Sequence, residues 1–421
     1  MKKTVEIIGG GTISHVRSHL ALSAIAYGNT AKQIADLCKE QSDKLDINLH
    51  LTKMADSNSN IETTEDVEVL INKLKEDLNV KIIFFNPAMV DFLGEIDNLP
   101  SGKYEERLKS RNGEKAINLI PAKKIIKEIR KDRKDIFLVG FKTTCGLSED
   151  EQYINGLNLL KESSCNLVLA NDVKTRINMV ITPEEARYHV TKDRQQALKN
   201  LVEMAYLRSH LSFTRSTVVA GESIPWNSEL VPQSLRKVVD FCIASGAYKE
   251  FRGSTVGHFA CKIDDRTFLT SKRKTNFNDL DKNGLVKVII DGDDTVIAYG
   301  SKPSVGGQSQ RIIFSEHNDY DCIAHFHCPI KEGSKVPIAS QREYECGSHE
   351  CGKNTSINLK QFGNLSAVML DNHGPNIVFN HLIDPQEVID FIDNNFDLSG
   401  KTGGPVNLNT NKNKKITIWT F

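Results

Sequence analysis

The chain lacks an excess of either charge: among its 421 residues, 54 Lys and Arg stand against 54 Asp and Glu. Without a basic excess there is no long-range field to draw it to nucleic acid or to an acidic membrane, and neither is expected as a partner. It also lacks any apolar run near the ~18 residues that a bilayer span requires. Met1-Lys2-Lys3 does precede an apolar stretch. That stretch reaches Gly9 within a few residues, short of the roughly 7–15 apolar residues of a secretory leader, and reads as a buried strand. The nine cysteines are odd in number and scattered. No disulfide framework is expected of them, and a reducing compartment, the cytoplasm, fits their use. No internal repeat is evident.

What is present describes soluble globular material, with 26% charged and 39% hydrophobic residues. The length calls for two or three domains. The first half alternates β-branched apolar runs (residues 5–8, 47–51, 80–85, 136–141, 166–170 and 178–181) with helical spacing over 23–37, 64–78, 121–130, 149–160 and 193–207. Strand–helix alternation with continuously apolar strands predicts an α/β fold with a parallel, helix-covered sheet. Periodicity lapses over residues 209–232, which read as a linker between a domain at 1–208 and another at 233–398. The second half reads as α+β with a more mixed sheet, closed by a helix over 385–394. Residues 399–421 read as a mobile or docking tail, ending in the apolar Ile416-Thr417-Ile418-Trp419-Thr420-Phe421.

In the first half, Gly9-Gly10-Gly11-Thr12 follows a strand and is expected to open a helix. Glycines there let backbone N–H groups approach a phosphate, although a plain tight turn has the same composition. Gly10-Gly11-Thr12, Val16-Arg17, Pro87-Ala88-Met89-Val90-Asp91-Phe92, Val139-Gly140-Phe141 and Ala170-Asn171-Asp172-Val173 occur in the order found in phosphopantothenoylcysteine synthetases, which residues 3–205 resemble. The resemblance implies a Rossmann-like domain that activates a carboxylate with a nucleotide, and it carries Gly10, Gly11, Thr12 and Asn171 over as cofactor-binding residues. The departures are chemical. Ala21 stands at the family's Asn, Ser23-Ala24-Ile25 replaces its Ser-Ser-Gly, and Lys109 alone matches the Lys-x-Lys-Lys segment. Triphosphate binding needs several cations and backbone donors, so an altered ligand is expected: a nucleotide, another phosphorylated molecule, or none in a domain kept for assembly.

The second half carries Ala324-His325-Phe326-His327-Cys328-Pro329. On a strand, positions i and i+2 share a face, so His325 and His327 can grip one ion, with imidazole the usual ligand for zinc and its neighbours. Downstream, Leu370-Asp371-Asn372-His373-Gly374-Pro375 offers a third histidine after an apolar run. This pattern resembles the class II aldolase/adducin family over about residues 233–396. The resemblance implies an α/β class II aldolase-like domain with His325, His327 and His373 holding a divalent metal, usually zinc, and with lyase-type chemistry. It places Ser271, Lys272, Arg273 and Ser304 as substrate-binding residues for a phosphorylated or carboxylated small molecule, and it implies a homo-oligomer. The family's proton-handling Glu falls here on Gly306 or Gly307.

A substitute is sought in Glu345-Cys346-Gly347-Ser348-His349-Glu350-Cys351-Gly352. Glu345 or Glu350 would act as base and His349 as acid. A second metal centre on Cys346, His349 and Cys351, or a Gly-punctuated surface loop, are the other readings. The function expected is a metal-dependent aldolase, epimerase or dehydratase with a divergent nucleotide- or phosphate-binding N-terminal domain. A non-catalytic adducin-like assembly protein and a bifunctional ligase are the alternatives.

Overall fold

The computed structural model describes residues 2–41 and 44–406. The terminal hexapeptide and the rest of the expected tail from residue 407 lie outside them. Two compact units are formed. One runs to Pro183 and takes Tyr188–Ser209; the other takes Glu184–Arg187 and the chain from His210. The segment read as a linker thus lies, from His210 onward, in the second unit.

The first unit contains β1 (Thr4–Gly11), β2 (Ile13–Arg17), β3 (Leu20–Ser23), α1 (Asn29–Gln41), β4 (Asp46–Leu51), α2 (Thr64–Glu76), β5 (Val80–Ala88), β6 (Phe92–Glu95), β7 (Asn118–Pro121), α3 (Ile126–Asp132), β8 (Phe137–Thr144), α4 (Glu149–Ser163), β9 (Leu167–Asp172), β10 (Asn178–Ile181), β11 (Arg187–Thr191) and α5 (Arg194–Ser209). Its sheet runs β11-β10-β9-β8-β5-β1-β4. The pairs β1–β4, β1–β5, β5–β8 and β8–β9 are parallel, and β10 is antiparallel to β9. The inner parallel strands β1, β5, β8 and β9 are continuously apolar runs, because a sheet covered on both faces has no polar side, whereas the edge strand β4 mixes Asp, Asn and His with its apolar residues and is exposed or half-buried along its length. Helix α1 buries Ala31, Ile34, Ala35 and Cys38, the i, i+3, i+4, i+7 stripe of a helix laid on a sheet. Helices α2 and α4 open on capping boxes, Thr63 with Asp66 and Ser148 with Glu151, each cap contributing about 1 kcal/mol.

The glycine segment departs from expectation. Gly9, Gly10 and Gly11 lie in β1 itself, and the chain continues into the β2–β3 hairpin; the first helix starts at Asn29.

The second unit contains β12 (Arg215–Val219), α6 (Gln233–Ala244), β13 (Glu250–Phe251), β14 (Ser254–Thr255), β15 (His258–Lys262), β16 (Thr267–Ser271), α7 (Leu280–Asn283), β17 (Leu285–Ile290), β18 (Thr295–Tyr299), α8 (Gly307–Glu316), β19 (Cys322–His325), β20 (Ile338–Ala339), α9 (His349–Asn358), β21 (Lys360–Phe362), β22 (Leu365–Leu370), β23 (Gly374–Phe379) and α10 (Pro385–Asn395). The main sheet runs β12-β18-β17-β16-β15-β19-β23-β22-β20, with β21 on β22. It is antiparallel except where β12 joins β18 and β20 joins β22.

One face of this sheet carries the larger core. Phe259, Leu269, Ala324, Phe326, Cys328, Ile377 and Phe379 pack there with α6 and α10 residues such as Val238 and Ile392. The alternate positions Phe268, Ala260, Ile323 and Val378 pack on the other face with Ile313 and Phe314 of α8. Period-2 alternation therefore sends His258, His325 and Asn376 to the α8 face.

Candidate metal centre

His325 ends β19, and its strand neighbours are His258 of β15 on one side and Asn376 of β23 on the other. Beyond the strand, the alternation continues: Phe326 enters the apolar core while His327 stays on the histidine face, 6% exposed. His373 arrives from the turn between β22 and β23, where Asn372 takes a left-handed φ of 55° and the His373 N–H donates to Leu370 O at 3.0 Å. The turn reaches this place because Gly374 follows it. A β-carbon on Gly374 would lie 2.0 Å from the Phe326 carbonyl oxygen, so only glycine lets the two chains approach this closely.

The three rings converge. Their centroids are 5.1 Å apart for His325 and His327, 4.6 Å for His325 and His373, and 4.7 Å for His327 and His373. One ring nitrogen from each lies within 4.8 Å of the others. Nε2 of His325 and Nε2 of His373 are 3.2 Å apart. Two nitrogens on a tetrahedral zinc, with bonds of ~2.0–2.1 Å, would stand about 3.3 Å apart. His325 Nδ1–H donates to Pro375 O at 2.8 Å, which leaves the lone pair of the neutral ring on Nε2, facing His373. Burial, and then the neighbouring imidazoles, hold the pKa of both His325 and His373 well below the usual histidine value, so both rings are neutral and ready to ligate. The donor set fits a divalent transition metal.

Other groups support these rings. Thr402 N–H donates to His327 O at 3.1 Å, and the Thr402 hydroxyl donates to His373 O. Residues 401–402, read from sequence as tail, are thus built into the centre. His258 stacks on His325 at 4.6 Å between centroids. Its Nδ1 accepts from the Gln310 amide at 2.9 Å, and burial, then His327, depress its pKa to about 3.

The substrate-binding candidates meet only in part. The backbones of Ser271 and Ser304 are joined by Ser304 N–H donating to Ser271 O at 3.0 Å, Lys272 bridges Pro303, and Arg273 N–H donates to Lys302 O. Since Ala260 pairs with Thr270, the register sets Lys272 opposite His258, and alternation puts it on the histidine face. Ser271 faces the other way, buried, its hydroxyl without a hydrogen-bond partner among the described residues. Arg273 is exposed.

The base candidates are not members of the ligand set. Glu345, His349 and Glu350 contribute no atom to it. His349 and Glu350 open α9, which Ser348 caps, so this segment is a helix start rather than a loop. The Glu350 carboxylate accepts from Ser212 N–H at 3.1 Å and from the Ser212 hydroxyl at 2.9 Å. His349 meets Arg311 at 3.4 Å and lines an open cavity of about 400 Å³ with Ser212, Asp293, Asp294 and Arg311. Glu345 is buried. Cys351 is buried, its Sγ accepting from the Gln341 amide at 3.5 Å.

In the first unit, the cofactor candidates are occupied by their own chain. Gly11 N–H donates to Ala26 O and Thr12 N–H to Ala88 O, while Thr12 Oγ1 accepts from Val90 N–H at 3.0 Å. Gly10 has φ 102°, and a β-carbon there would lie 2.2 Å from Thr52 Oγ1. These glycines permit close packing, and the Gly11 and Thr12 N–H groups are not aimed at a ligand. Asn171 Oδ1 lies 3.4 Å from the Thr143 hydroxyl.

The sequence reading missed Glu185, whose carboxylate Oε2 lies 3.2 Å from His327 Nδ1. Nothing in its local pattern, two acids after Pro183, points to a histidine so distant in the chain.

Comparison with known families finds one match in each half. The model of the DNA/pantothenate metabolism flavoprotein C-terminal domain matches residues 3–205, and that of the class II aldolase and adducin N-terminal domain matches residues 236–331. The chain resembles two families, one in each half. The first unit has the Rossmann-like fold and the second the aldolase-like α/β fold. Among solved structures, the DNA/pantothenate metabolism flavoprotein from Streptococcus pneumoniae is 18% identical, with a TM-score of 0.40, over 48% of this chain and 97% of that one. The C-terminal domain of the coenzyme A biosynthesis bifunctional protein CoaBC is 13% identical, with a TM-score of 0.36, over 49% and 95%. L-fuculose 1-phosphate aldolase is 19% identical, with a TM-score of 0.31, over 39% and 82%. No curated protein matches the chain. Among the described residues, no helix is long and apolar enough to cross a membrane.

Proposed function

We propose that the aldolase-like unit is a metal-dependent, lyase-type enzyme acting on a small phosphorylated or carboxylated substrate, by aldolase, epimerase or dehydratase chemistry. The observation that carries this reading is the convergence of His325, His327 and His373, three buried ring nitrogens within 4.8 Å of one another. When bound, a divalent ion such as zinc supplies Lewis-acid stabilisation of negative charge developing on a substrate oxygen.

The chain's own residues supply the rest. His325 is held in its ligating tautomer by Pro375. Lys272, on the same face one strand beyond His258, offers a cation to the anionic end of a substrate. Burial lowers its pKa from the usual lysine value, and an anion bound there would draw it back up. The apolar layer behind the histidines, Phe259, Phe326 and Phe396, keeps water from the rear of the site.

The first unit, in this reading, recognises a phosphorylated or nucleotide ligand by means different from those of the synthetases. The donors of Gly11 and Thr12 are already spent within the fold. Calorimetry against common nucleotides tests this half: heat of binding supports it, and silence with all of them removes it. We further propose a homo-oligomer working in the cytoplasm on a small-molecule substrate, with neither nucleic acid nor membrane as a partner.

Metal analysis of the purified protein by mass spectrometry, beside a His325→Ala/His327→Ala variant, tests the main reading. About one zinc, manganese, cobalt or iron per chain, lost in the variant, is the expected result. No metal in either protein, even after supplementation, overturns it and favours an assembly role.

A further inference from the structure

Glu185 sits in a segment that departs from its chain neighbours. Residues up to Pro183 and from Tyr188 belong to the first unit, but Glu184–Arg187 belong to the second. The side chain is buried, and the backbone takes φ 61°, a left-handed conformation that costs a non-glycine residue free energy. The neighbourhood holds it there. A β-carbon on Gly403 would lie 2.3 Å from the Glu185 carbonyl oxygen, so the 403 backbone is laid directly against it.

From this place Glu185 Oε2 reaches to 3.2 Å from His327 Nδ1 and 3.7 Å from Lys401 Nζ. Lys401 precedes Thr402, whose N–H and hydroxyl bind the backbones of His327 and His373. One short stretch therefore meets the carboxylate and anchors the backbones of two of the three histidines. Glu185 stands outside the set of ligand atoms gathered within 4.8 Å, so its place is behind His327 rather than on the ion.

Burying a carboxylate is costly unless a cation or donor compensates it. Lys401 offers one cation. A divalent ion on three neutral imidazoles would leave two positive charges buried, and a carboxylate one ring away offsets part of that charge. Metal-ligating histidines regularly present their second ring nitrogen to a carboxylate or carbonyl, which fixes the tautomer and raises the basicity of the ligating nitrogen. His325 has Pro375 O in this role.

We propose that Glu185 is the positioning carboxylate of the metal centre: its Oε2 meets His327 Nδ1 at ion-pair distance without yet forming a hydrogen bond, and with a metal bound it would take the proton of Nδ1, leave Nε2 for the ion and offset part of the ion's charge. The inference rests on the three-histidine site proposed above.

The test uses the full chain and two probes, Co²⁺ followed by its visible bands and Zn²⁺ followed by competition with a chelator. Glu185→Gln removes the charge and keeps an acceptor; Glu185→Ala removes both. Zn²⁺ affinity is expected to fall about 10–100-fold in Glu185→Ala and by less in Glu185→Gln, with Co²⁺ still bound through three nitrogens. Wild-type affinity in both variants overturns the inference while leaving the metal site standing. A wild-type protein that binds neither ion overturns the metal site itself. Should the variants not fold, ¹⁵N spectra of the wild-type histidine rings decide: an Nδ1–H tautomer at His327 supports the assignment and an Nε2–H tautomer overturns it.

Discussion

Gly306 lies against the imidazole of His258, so closely that a β-carbon on it would come within 2.1 Å of ring atoms Nε2 and Cδ2. The position where the aldolase resemblance expects a Glu falls on Gly306 or Gly307, and at Gly306 the histidine fills the volume that any side chain would need. His258 cannot easily yield, being stacked on His325 and held by Gln310.

Gly306→Ala is therefore expected to destabilise the second unit by about 1–3 kcal/mol, the usual range for overpacking. A companion His258→Ala should relieve part of that cost, so that the double variant is more stable than the sum of the single effects. Chemical denaturation of the four proteins gives the coupling directly. Additive effects would show that the two residues do not share the space.

The histidines divide into ligands and bystanders. His373→Ala should abolish metal retention through dialysis. His317→Ala should keep it, since His317 bonds Ser356 and takes no part in the cluster. Glu350→Gln should likewise retain metal, its carboxylate being engaged by Ser212. Equal losses in all three variants would count against the three-histidine site.

Asp172 makes an acid-sensitive contribution to the first unit. Burial pushes its pKa up, but Thr175, Gly146 and Leu147 N–H groups and the Thr144 hydroxyl outweigh that and bring it well below the ordinary aspartate value. A carboxylate depressed in the folded state stabilises above its unfolded pKa of about 3.9, and the contribution is lost as pH falls through the folded value. Wild-type protein should thus exceed Asp172→Asn in stability at pH 7, and the gap should close progressively below about pH 4. Urea unfolding across that range measures it; a gap that is flat with pH would refute the assignment.

The sheet of the first unit was legible because its buried strands are apolar runs, with which β1, β5, β8, β9 and β10 coincide; the exposed to half-buried edge strand β4 also falls on the run expected at 47–51. The helix expected from residue 23 begins instead at Asn29, because Leu20–Ser23 pairs back onto Ile13–Arg17. That hairpin gives no strong alternation, its β3 residues being largely exposed. In the second unit the His-x-His pair was legible from strand geometry, and His373 only through resemblance, since a turn residue has no periodicity to betray it. Gly347 and Gly352 suggested a loop where α9 forms, yet Ser348 caps that helix, its hydroxyl accepting from Cys351 N–H at 3.0 Å. Glu185 was illegible because its role depends on a pairing across the chain that no local pattern encodes.

The membership of Glu184–Arg187 in the second unit bears on how such a protein can be inherited. Recombination at residue 210 would transfer all three ring ligands to a new host but leave this tetrapeptide behind. The aldolase-like half is therefore not a cassette. Moved alone, that half would lack the carboxylate that stands 3.2 Å from His327 Nδ1.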